Sequence, residues 1–233
     1  MAVFKFKYFS VENERSPMKV NTDGVLLGAA VCLSGQEKRI LDIGTGTGVI
    51  ALMLAQRTES AEVTGLEIDH DSFEEALGNF RNSPWKERLE AVEGDLREYI
   101  PACRYDLVVS NPPYYDNSLK NPDERVSVAR HNVSLHYSDI FHFCDEYLES
   151  TGKISLVLPS SEEKSLMRSA GSFGFFPERI LRIRSSEKKT VSRIISVFSR
   201  ERRSPEESLL TIMEGGKYSE EYKSLTGDFY LLL

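Results

Sequence analysis

The stretch RILDIGTGTGVIALMLAQR, residues 39–57, decides the fold class of this chain. Its first residues are mainly apolar and predict a buried strand, and its last ten predict a helix. Three glycines, Gly44, Gly46 and Gly48, stand at the junction. Glycine lets the backbone turn sharply and lets a ligand approach the main chain at the start of a helix. The stretch therefore predicts a ligand-binding turn between a strand and a helix.

Predicted strands and helices alternate along most of the chain. Strands are predicted for RILDIG, EVTGLEID, LEAVEGD, YDLVVSNPP and GKISLVLP, and helices after Asn21, in DSFEEALGNF (with a Ser72/Glu75 capping box), in SDIFHFCDEYL and in SSEEKSLMRSA. This alternation predicts an α/β fold with a mostly parallel sheet that helices cover on both faces. The last two β-rich stretches, ERILRIRS and VSRIISVFS, have no helix between them and predict a terminal antiparallel hairpin.

Length and composition indicate one globular domain. The chain has 233 residues, of which 40% are hydrophobic and 28% charged, and these values exclude collagen-like, low-complexity and wholly disordered chains. No Pro-, Gly- or Ser-rich linker and no internal repeat divides the sequence. We expect a single domain over 1–233, with an N-terminal extension at 1–38, a core at 39–203 and a C-terminal tail at 204–233 that packs on or near the core.

Charge and cysteine content limit the partners. The formal net charge is −7, so nucleic acid would have to bind at a local basic surface rather than over the whole protein. The three cysteines lie far apart and form no CxxC or Cys/His cluster, so we expect neither a metal site nor a disulfide framework. No signal peptide and no apolar run long enough to span a bilayer is evident, so we expect a cytoplasmic protein without a membrane partner or an obligate protein partner.

Acidic residues near the glycine turn favour a sulfonium cofactor. Glu67 ends the next strand, about 20 residues on, where a carboxylate accepts hydrogen bonds from both ribose hydroxyls. Asp42 precedes the glycines, and its carboxylate would repel a pyrophosphate but attract an ammonium or sulfonium group. Asp95 follows the third strand, where it either accepts a hydrogen bond from the adenine amino group or only forms a turn. The pattern favours S-adenosylmethionine over NAD.

The stretch DLVVSNPPY, residues 106–114, carries the candidate chemistry. Pro112 and Pro113 fix their own φ angles and restrict the residues before them, so the loop is rigid and has few backbone donors. The side-chain oxygen of Asn111 and the carbonyl of Pro112 would each accept one hydrogen of a planar exocyclic amine, and Tyr114 would stack on the ring. Two such acceptors favour a tetrahedral nitrogen, whose lone pair is then free for in-line attack on the sulfonium methyl without a strong base.

These motifs together resemble a known family. LDIGTGTG, GLEID, GDL and DLVVSNPPY resemble the class I S-adenosylmethionine-dependent methyltransferases that modify amino groups. Both ends of the chain, FKFKYFSVENERSPMKVNTDGVLLGA and SLTGDFYLLL, and the internal ARHNVSLHYSDI resemble the bacterial tRNA1(Val) (adenine(37)-N6)-methyltransferases. The resemblance implies a Rossmann-like, seven-stranded sheet of order 3-2-1-4-5-7-6 with strand 7 antiparallel. It also implies methylation of N6 of an anticodon-loop adenine in tRNA.

The resemblance extends the set of site residues, because it implies that Lys19, Thr22 and Asp23 lie beside the methionyl end of the cofactor. The candidate cofactor site comprises Lys19, Thr22, Asp23, Asp42, Gly44, Thr45, Gly46, Gly48, Glu67, Ile68, Asp95, Leu96 and Asn111. The candidate catalytic residues are Asn111, Pro112, Pro113 and Tyr114.

A basic run is the candidate RNA-binding surface. Residues 178–203 contain nine lysines and arginines against three glutamates, a local net charge of +6. A phosphate-binding surface and an ordinary solvated face both remain open. We assign RNA contacts to Lys5, Lys7, Arg130, Arg184, Lys188, Lys189 and Arg193. For Arg130 the alternative is a cap on the helix that follows.

Other functions remain open on these residues. A protein N5-glutamine methyltransferase uses the same NPPY logic on a side-chain amide, but it usually carries an additional N-terminal helical domain, for which we expect no room before Asp42. Ribosomal RNA and DNA amino-methyltransferases share the NPPY loop. An NAD oxidoreductase is disfavoured by the glycine spacing, and a non-enzymatic RNA-binding module by the intact glycines and Asn111.

Overall fold

The computed structural model describes residues 3–112 and 135–232. Its strands are β1 (Val3–Lys5), β2 (Ser10–Glu12), β3 (Arg39–Ile43), β4 (Glu62–Glu67), β5 (Leu89–Glu93), β6 (Tyr105–Ser110), β7 (Leu148–Pro159), β8 (Phe176–Ser186), β9 (Arg193–Ser199), β10 (Glu206–Glu214) and β11 (Lys217–Tyr218). Its helices are α1 (Thr22–Ala30), α2 (Val49–Arg57), α3 (His70–Arg81), α4 (Tyr137–Tyr147), α5 (Glu163–Ser172) and α6 (Glu220–Thr226). Single 3-10 turns lie at Lys86–Arg88 and Ser160–Glu162.

Nine of the described strands form one mixed sheet in the order β11-β10-β8-β9-β7-β6-β3-β4-β5. From β5 to β8 this is the order 3-2-1-4-5-7-6, and β9 runs antiparallel to both β7 and β8. The mostly parallel α/β fold is therefore confirmed. The sheet has two strands more than expected, because β10 pairs in parallel with β8 and β11 pairs antiparallel with β10. The pairing of β8 with β9 is correct, but it does not end the sheet.

The extra strand β10 carries a weak strand pattern. Its residues EESLLTIME include three glutamates, and only Leu210 and Thr211 are buried. It pairs with β8 on the side that faces away from β9, and its Leu209 lies opposite Arg182 of β8. A half-exposed, charged strand near the end of a sheet is hard to distinguish from a polar tail. The sequence therefore predicts a tail at 204–233, where the structure has two strands and a helix.

Helices cover both faces of the sheet. Side chains alternate along a strand, so Ile40 faces one side of β3 while Leu41 and Ile43 face the other. The core on the first side is built with α1, α2, α3 and α6, and the core on the second side with α4 and α5. The central strands are buried on both sides, as expected for βαβ units.

The predicted start of α1 agrees with the structure, whereas the predicted cap of α3 does not. At α1 the side chain of Asn21 accepts a hydrogen bond from the Gly24 amide at 2.9 Å, which confirms the predicted start. At α3 the predicted Ser72/Glu75 capping box is wrong, because the N-cap is Asp69. Its carboxylate accepts hydrogen bonds from the amide and the hydroxyl of Ser72. Glu75 is therefore not engaged in capping.

The carboxyl ends of the parallel strands meet at one edge of the sheet. β3, β4 and β6 end there, and each is followed by one of the candidate site segments. β8 runs parallel to β7, since β9 is antiparallel to both. The turn at 187–192 between β8 and β9 therefore lies at this same edge, whereas residues 200–203 lie at the opposite edge.

Candidate active site

A cavity of about 370 Å³ opens at the carboxyl edge of the sheet. Its wall includes nine of the predicted site residues, namely Lys19, Gly44, Thr45, Gly46, Glu67, Ile68, Asp95, Leu96 and Asn111. It also includes residues that are not among the predicted site residues, such as Ser16, Pro17, Met18 and Arg97. The cavity brings together the glycine turn, the ends of β4 and β6, and the irregular segment that precedes α1.

The glycine turn is fastened to the end of β4. The amides of Gly44 and Thr45 both donate to the carbonyl of Leu66, at 2.8 and 3.1 Å. Gly48 has a φ of +80° and caps α2, and a Cβ atom there would lie 2.5 Å from the buried ring of Phe80. Gly48 does not line the cavity, and its contact with the cofactor stays a prediction. Its role is to let α2 start close against α3.

Asp42 lies behind the glycine turn, fully buried and outside the cavity wall. Its Oδ2 accepts the Thr45 hydroxyl at 2.6 Å, while Oδ1 has no hydrogen-bond partner among the described residues. Burial raises the pKa of Asp42 to about 7, against the opposing effects of the Thr45 hydroxyl and the Ala51 amide and with a further increase from Glu67. Asp42 therefore lies behind the cavity wall and is bonded to the wall residue Thr45, and its attraction of a cofactor cation stays a prediction.

Thr45 is held in place from two sides. Besides its bond to Asp42, its side chain packs against Gly65 of β4, where a Cβ atom would lie 2.9 Å from the Thr45 side chain. Gly65 therefore leaves the space that Thr45 occupies. This contact was not predicted, since GLEID marks the acid of the motif and not its glycine.

Glu67 supports the glycine turn as well as lining the cavity. Its Oε2 accepts the Gly46 amide at 2.8 Å, and its Oε1 accepts the amides of Ile68 and Asp69 at 2.9 and 3.0 Å. A carboxylate offers about four acceptor positions, so these three donors leave capacity for one more in this arrangement. Acceptance of both ribose hydroxyls stays a prediction.

Asp95 lines the cavity, but its carboxylate is paired with Arg97. The Arg97 Nε donates to both carboxylate oxygens at 2.9 and 3.0 Å, a terminal guanidinium nitrogen also donates to Oδ2, and the Arg97 amide donates to Oδ1 at 3.0 Å. The hydrogen bond from the Arg97 side chain lowers the pKa of Asp95. An adenine amino group would therefore compete with Arg97 for this carboxylate, and its binding by Asp95 stays a prediction.

Asn111 stands where β6 leaves the sheet. It is only 7% exposed, and its Nδ2 lies 3.8 Å from the sulfur of Met18, which also lines the cavity. The Ser110 hydroxyl donates to the carbonyl of Ile43 at 2.8 Å and ties the ends of β6 and β3 together. Pro112 is buried beside Asn111. Pro113, Tyr114 and Arg130 lie outside the described residues.

Thr22 and Asp23 do not reach the cavity. Both lie in the first turn of α1, and the Asp23 carboxylate accepts a hydrogen bond from the Nε of Arg193 at 2.7 Å. Asp23, assigned to the cofactor site, thus binds Arg193, assigned to RNA binding. The pair joins α1 to the start of β9. Asp23 and Arg193 are thus engaged with each other within the protein, and their contacts with cofactor and RNA stay predictions.

The basic run is divided between the two edges of the sheet. Arg200 and Arg203 lie at the edge opposite the cavity, where they pair with Asp145 and Glu178. Arg182 lies between the edges and pairs with Glu163 and Glu207. Much of the local charge of 178–203 is therefore compensated.

The basic residues at the cavity edge form a smaller group. Lys188 and Lys189 are exposed in the turn between β8 and β9. Arg184 donates to the Thr211 hydroxyl at 2.8 Å and to the carbonyl of Glu187. At the N-terminus Lys5 is exposed, whereas the ammonium group of Lys7 donates to the carbonyl of Gly227.

Neither a metal-binding cluster nor a membrane-spanning helix is present in residues 3–112 and 135–232. These residues contain no group of three or more His, Cys, Asp or Glu side chains that would hold a metal ion. None of the helices described here is long and apolar enough to cross a membrane.

Comparison with known proteins identifies relatives that match along the whole chain. The family model for the methyltransferase small domain matches residues 23–170. The chain is 39% identical over 232 residues to a Flavobacterium psychrophilum protein named tRNA1(Val) (adenine(37)-N6)-methyltransferase, covering 98% of this chain and 99% of that protein. A Bacteroides fragilis protein of the same name is 42% identical over 232 residues, covering 98% and 97%.

Solved structures agree in fold. A predicted O-methyltransferase from Agrobacterium tumefaciens superimposes with a TM-score of 0.69 at 20% identity, covering 88% of this chain and 95% of its own. A methyltransferase from Pyrococcus furiosus superimposes with a TM-score of 0.59 at 23% identity, covering 82% and 89%. At these identities the likeness shows the methyltransferase fold alone.

Proposed function

Because this chain belongs to the methyltransferase small domain family, and within it to the tRNA1(Val) (adenine(37)-N6)-methyltransferases, we propose that it methylates N6 of adenine 37 in tRNA1(Val) with S-adenosylmethionine. The observation that carries the proposal is one cavity whose wall holds the glycine turn, Glu67 and Asn111 together. We place the reaction in the cytoplasm, with the adenine presented by the anticodon loop.

The cavity fits an adenosyl cofactor. Its volume of about 370 Å³ lies in the range of small-molecule sites, and its apolar wall at Ile43, Leu66 and Ile68 is combined with few polar groups. Glu67 retains acceptor capacity for a ribose hydroxyl. When bound, S-adenosylmethionine supplies a methyl group that is electrophilic because it is carried by a sulfonium.

Asn111 is the residue to which we assign the target amine. In adenine the N6 lone pair is delocalised into the ring, so the amine is a weak nucleophile. An Asn111 oxygen that accepts one N–H, with the Pro112 carbonyl accepting the other, stabilises the tetrahedral nitrogen that attack requires. The Ser110–Ile43 bond fixes the end of β6, so Asn111 is held in place before substrate binds. The ammonium product then loses a proton to solvent.

The substrate must leave its stack to reach this site. An unpaired anticodon-loop adenine costs only a few kcal/mol to extrude, less than a base in a duplex. Tyr114, in the segment after Pro112, is assigned the stacking surface for the extruded ring. Phosphates of the tRNA would then bind the exposed lysines of the 187–192 turn, which lies at the same edge as the cavity.

The proposal is tested by incubating the protein with labelled S-adenosylmethionine and, in separate reactions, total tRNA, duplex DNA, ribosomal RNA or a glutamine-containing release-factor peptide. The methylated nucleotide of the tRNA is then mapped. We expect N6-methyladenine at position 37 of tRNA1(Val), and no labelling of duplex DNA, ribosomal RNA or a glutamine-containing release-factor peptide. Asn111→Ala should lower turnover at least about 100-fold, as expected for loss of a preorganised transition-state group, while changing cofactor affinity much less.

The control is Asn82→Ala, which removes an exposed amide at the end of α3, away from the cavity. It should methylate tRNA like the wild type. Labelling of DNA, ribosomal RNA or peptide in preference to tRNA would replace the proposed substrate, and a near-normal rate in Asn111→Ala would refute the role of Asn111.

A further inference from the structure

One face of α3 carries three buried polar side chains, Ser72, Glu75 and Asn79. Their spacing of i, i+3 and i+7 places them in one row along the helix. Ser72 lines the cavity. Asn79 accepts the Glu12 amide at 2.7 Å and donates to the carbonyls of Glu12 and Thr47 at 3.0 and 2.8 Å, so it joins the end of β2 to the glycine turn.

Glu75 binds three consecutive backbone amides. Its Oε1 accepts the amides of Glu14 and Arg15, the latter at 2.7 Å, and its Oε2 accepts the amide of Ser16 at 2.9 Å. Glu75 is only 4% exposed. Successive amides that converge on an anion form a nest, and hydrogen bonds to a carboxylate are stronger than those between neutral groups. Here a side chain 60 residues along the chain supplies the anion.

The segment that Glu75 holds, residues 13–19, is part of the cavity wall. It contains no helix or strand, and Ser16, Pro17, Met18 and Lys19 all line the cavity. Within the segment, the Lys19 ammonium donates to the carbonyl of Glu14 at 2.7 Å. The segment contacts the candidate catalytic residue Asn111 through Met18, whose sulfur lies 3.8 Å from the Asn111 Nδ2.

The bonds to α3 determine where this wall stands. Buried backbone amides without partners are costly, and an irregular segment has no ladder to satisfy them. If the Glu75 carboxylate is absent, the amides of residues 14–16 regain partners only by moving towards water, and the wall at 16–19 moves with them. The glycine turn, in contrast, keeps its own bonds to β4.

We propose that Glu75 is a positioning residue for cofactor binding: it holds residues 14–16 so that the 16–19 wall closes on S-adenosylmethionine. The proposal rests on the proposed function for the identity of the ligand. Glu75 lies outside the cavity wall and acts only through the segment.

The test compares Glu75→Gln with Glu74→Gln in the full chain. Glutamine has the volume of glutamate, but it loses the charge and turns one oxygen into a donor that faces the amides. Glu74 is the neighbouring acid on the same helix and accepts none of the three amide bonds, so its variant controls for charge. Glu75→Asp retains the carboxylate on a shorter side chain and tests rescue.

Three measurements are made on each variant: amide hydrogen exchange of residues 13–19 without cofactor, S-adenosylmethionine affinity by calorimetry with NAD as the unrelated ligand, and steady-state kinetics of tRNA methylation. In Glu75→Gln we expect faster exchange at residues 14–16 and a dissociation constant raised about tenfold or more. The KM for S-adenosylmethionine should rise similarly, while kcat at saturating cofactor changes less than about threefold. Glu74→Gln should match the wild type, and Glu75→Asp should lie between.

The outcomes separate the two proposals. If wild-type protein fails to bind S-adenosylmethionine, the cofactor assignment is overturned, and with it the ligand named here. If the wild type binds it and Glu75→Gln binds it equally well, or exchanges its 14–16 amides at the wild-type rate, the positioning role is overturned. A loss of kcat without a rise in KM would also overturn it, since that pattern indicates damage to the chemistry rather than to the wall.

Discussion

The glycine turn and the basic run are both evident in the sequence, but folding affects them differently. Residues 42–48 remain one structural unit, because the turn is closed by bonds to β4, the next strand. Residues 178–203 are divided, because they include β9, whose seven residues span roughly 23 Å from one edge of the sheet to the other. Residues that are close in the sequence therefore stay close in space when they form a turn. When they form a pair of strands, they are spread from one edge of the sheet to the other.

The charges of the two regions also meet different partners. The acids around the glycine turn, Asp42 and Glu67, accept hydrogen bonds from hydroxyl and amide groups nearby. The arginines of the basic run pair with acids such as Glu163 and Asp145, which come from distant elements. Their compensation depends on tertiary structure, so a count of charges along the run overestimates the potential of the surface.

The largest effect is expected from breaking the glycine turn itself. In Gly48→Ala the alanine must adopt the positive φ of the glycine, +80°. Its methyl group would also lie 2.5 Å from a ring atom of Phe80, which is 1% exposed and has little space to move. Strain and overpacking together should lower the free energy of unfolding by about 2–5 kcal/mol. Denaturant unfolding measures this.

The matched control is Gly35→Ala. Gly35 also has a positive φ, +81°, but a Cβ atom there would have no atom of the described residues within 4 Å. Its variant should pay the backbone strain alone, about 1–2 kcal/mol. Equal losses in the two variants would mean that the contact with Phe80 does not constrain the turn.

A second, smaller effect concerns the buried acid behind the turn. The pKa of Asp42 is about 7 in the folded protein and 3.8 ordinarily, so between these values the folded protein holds a proton that the unfolded chain has released. The free energy of unfolding therefore falls as pH rises from about 4 to about 7, by up to about 4 kcal/mol for this group. Asp42→Asn should remove that part of the pH dependence.

The measurement is denaturant unfolding of wild type and Asp42→Asn at pH 4.5 and pH 8. The stability of the variant relative to the wild type should be greater at pH 8. Parallel pH profiles would show that burial of Asp42 is compensated by a group other than Thr45.

The sequence predicts those residues of the site that lie at the ends of the parallel strands. Glu67 and Asn111 meet at the cavity because Glu67 ends one parallel strand and Asn111 follows another, and parallel strands end at one edge. Met18 and Arg97 could not be predicted, because their places depend on loop paths. The position of Met18 follows from the long-range bonds of residues 14–16 to Glu75, which no spacing along the chain indicates.

The smallest effect is expected for the part of the basic run that stays near the cavity. Lys188 and Lys189 are exposed at the cavity edge, and phosphate contacts there would each contribute to tRNA affinity. Lys188→Glu with Lys189→Glu should raise the KM for tRNA several-fold at 0.1 M salt. Each lost contact should also reduce the slope of log affinity against log salt by roughly 0.7–0.9.

The control that sharpens the comparison is Arg202→Glu with Arg203→Glu. It reverses the same number of charges in the same run, but at the opposite edge of the sheet, where Arg203 pairs with Glu178. Because the Debye length is about 10 Å at 0.1 M salt, charges at that edge are screened from a substrate bound at the cavity. This variant should keep the wild-type KM and salt slope. If both pairs change tRNA binding equally, the whole run acts as one surface, and its division by β9 has no consequence for RNA.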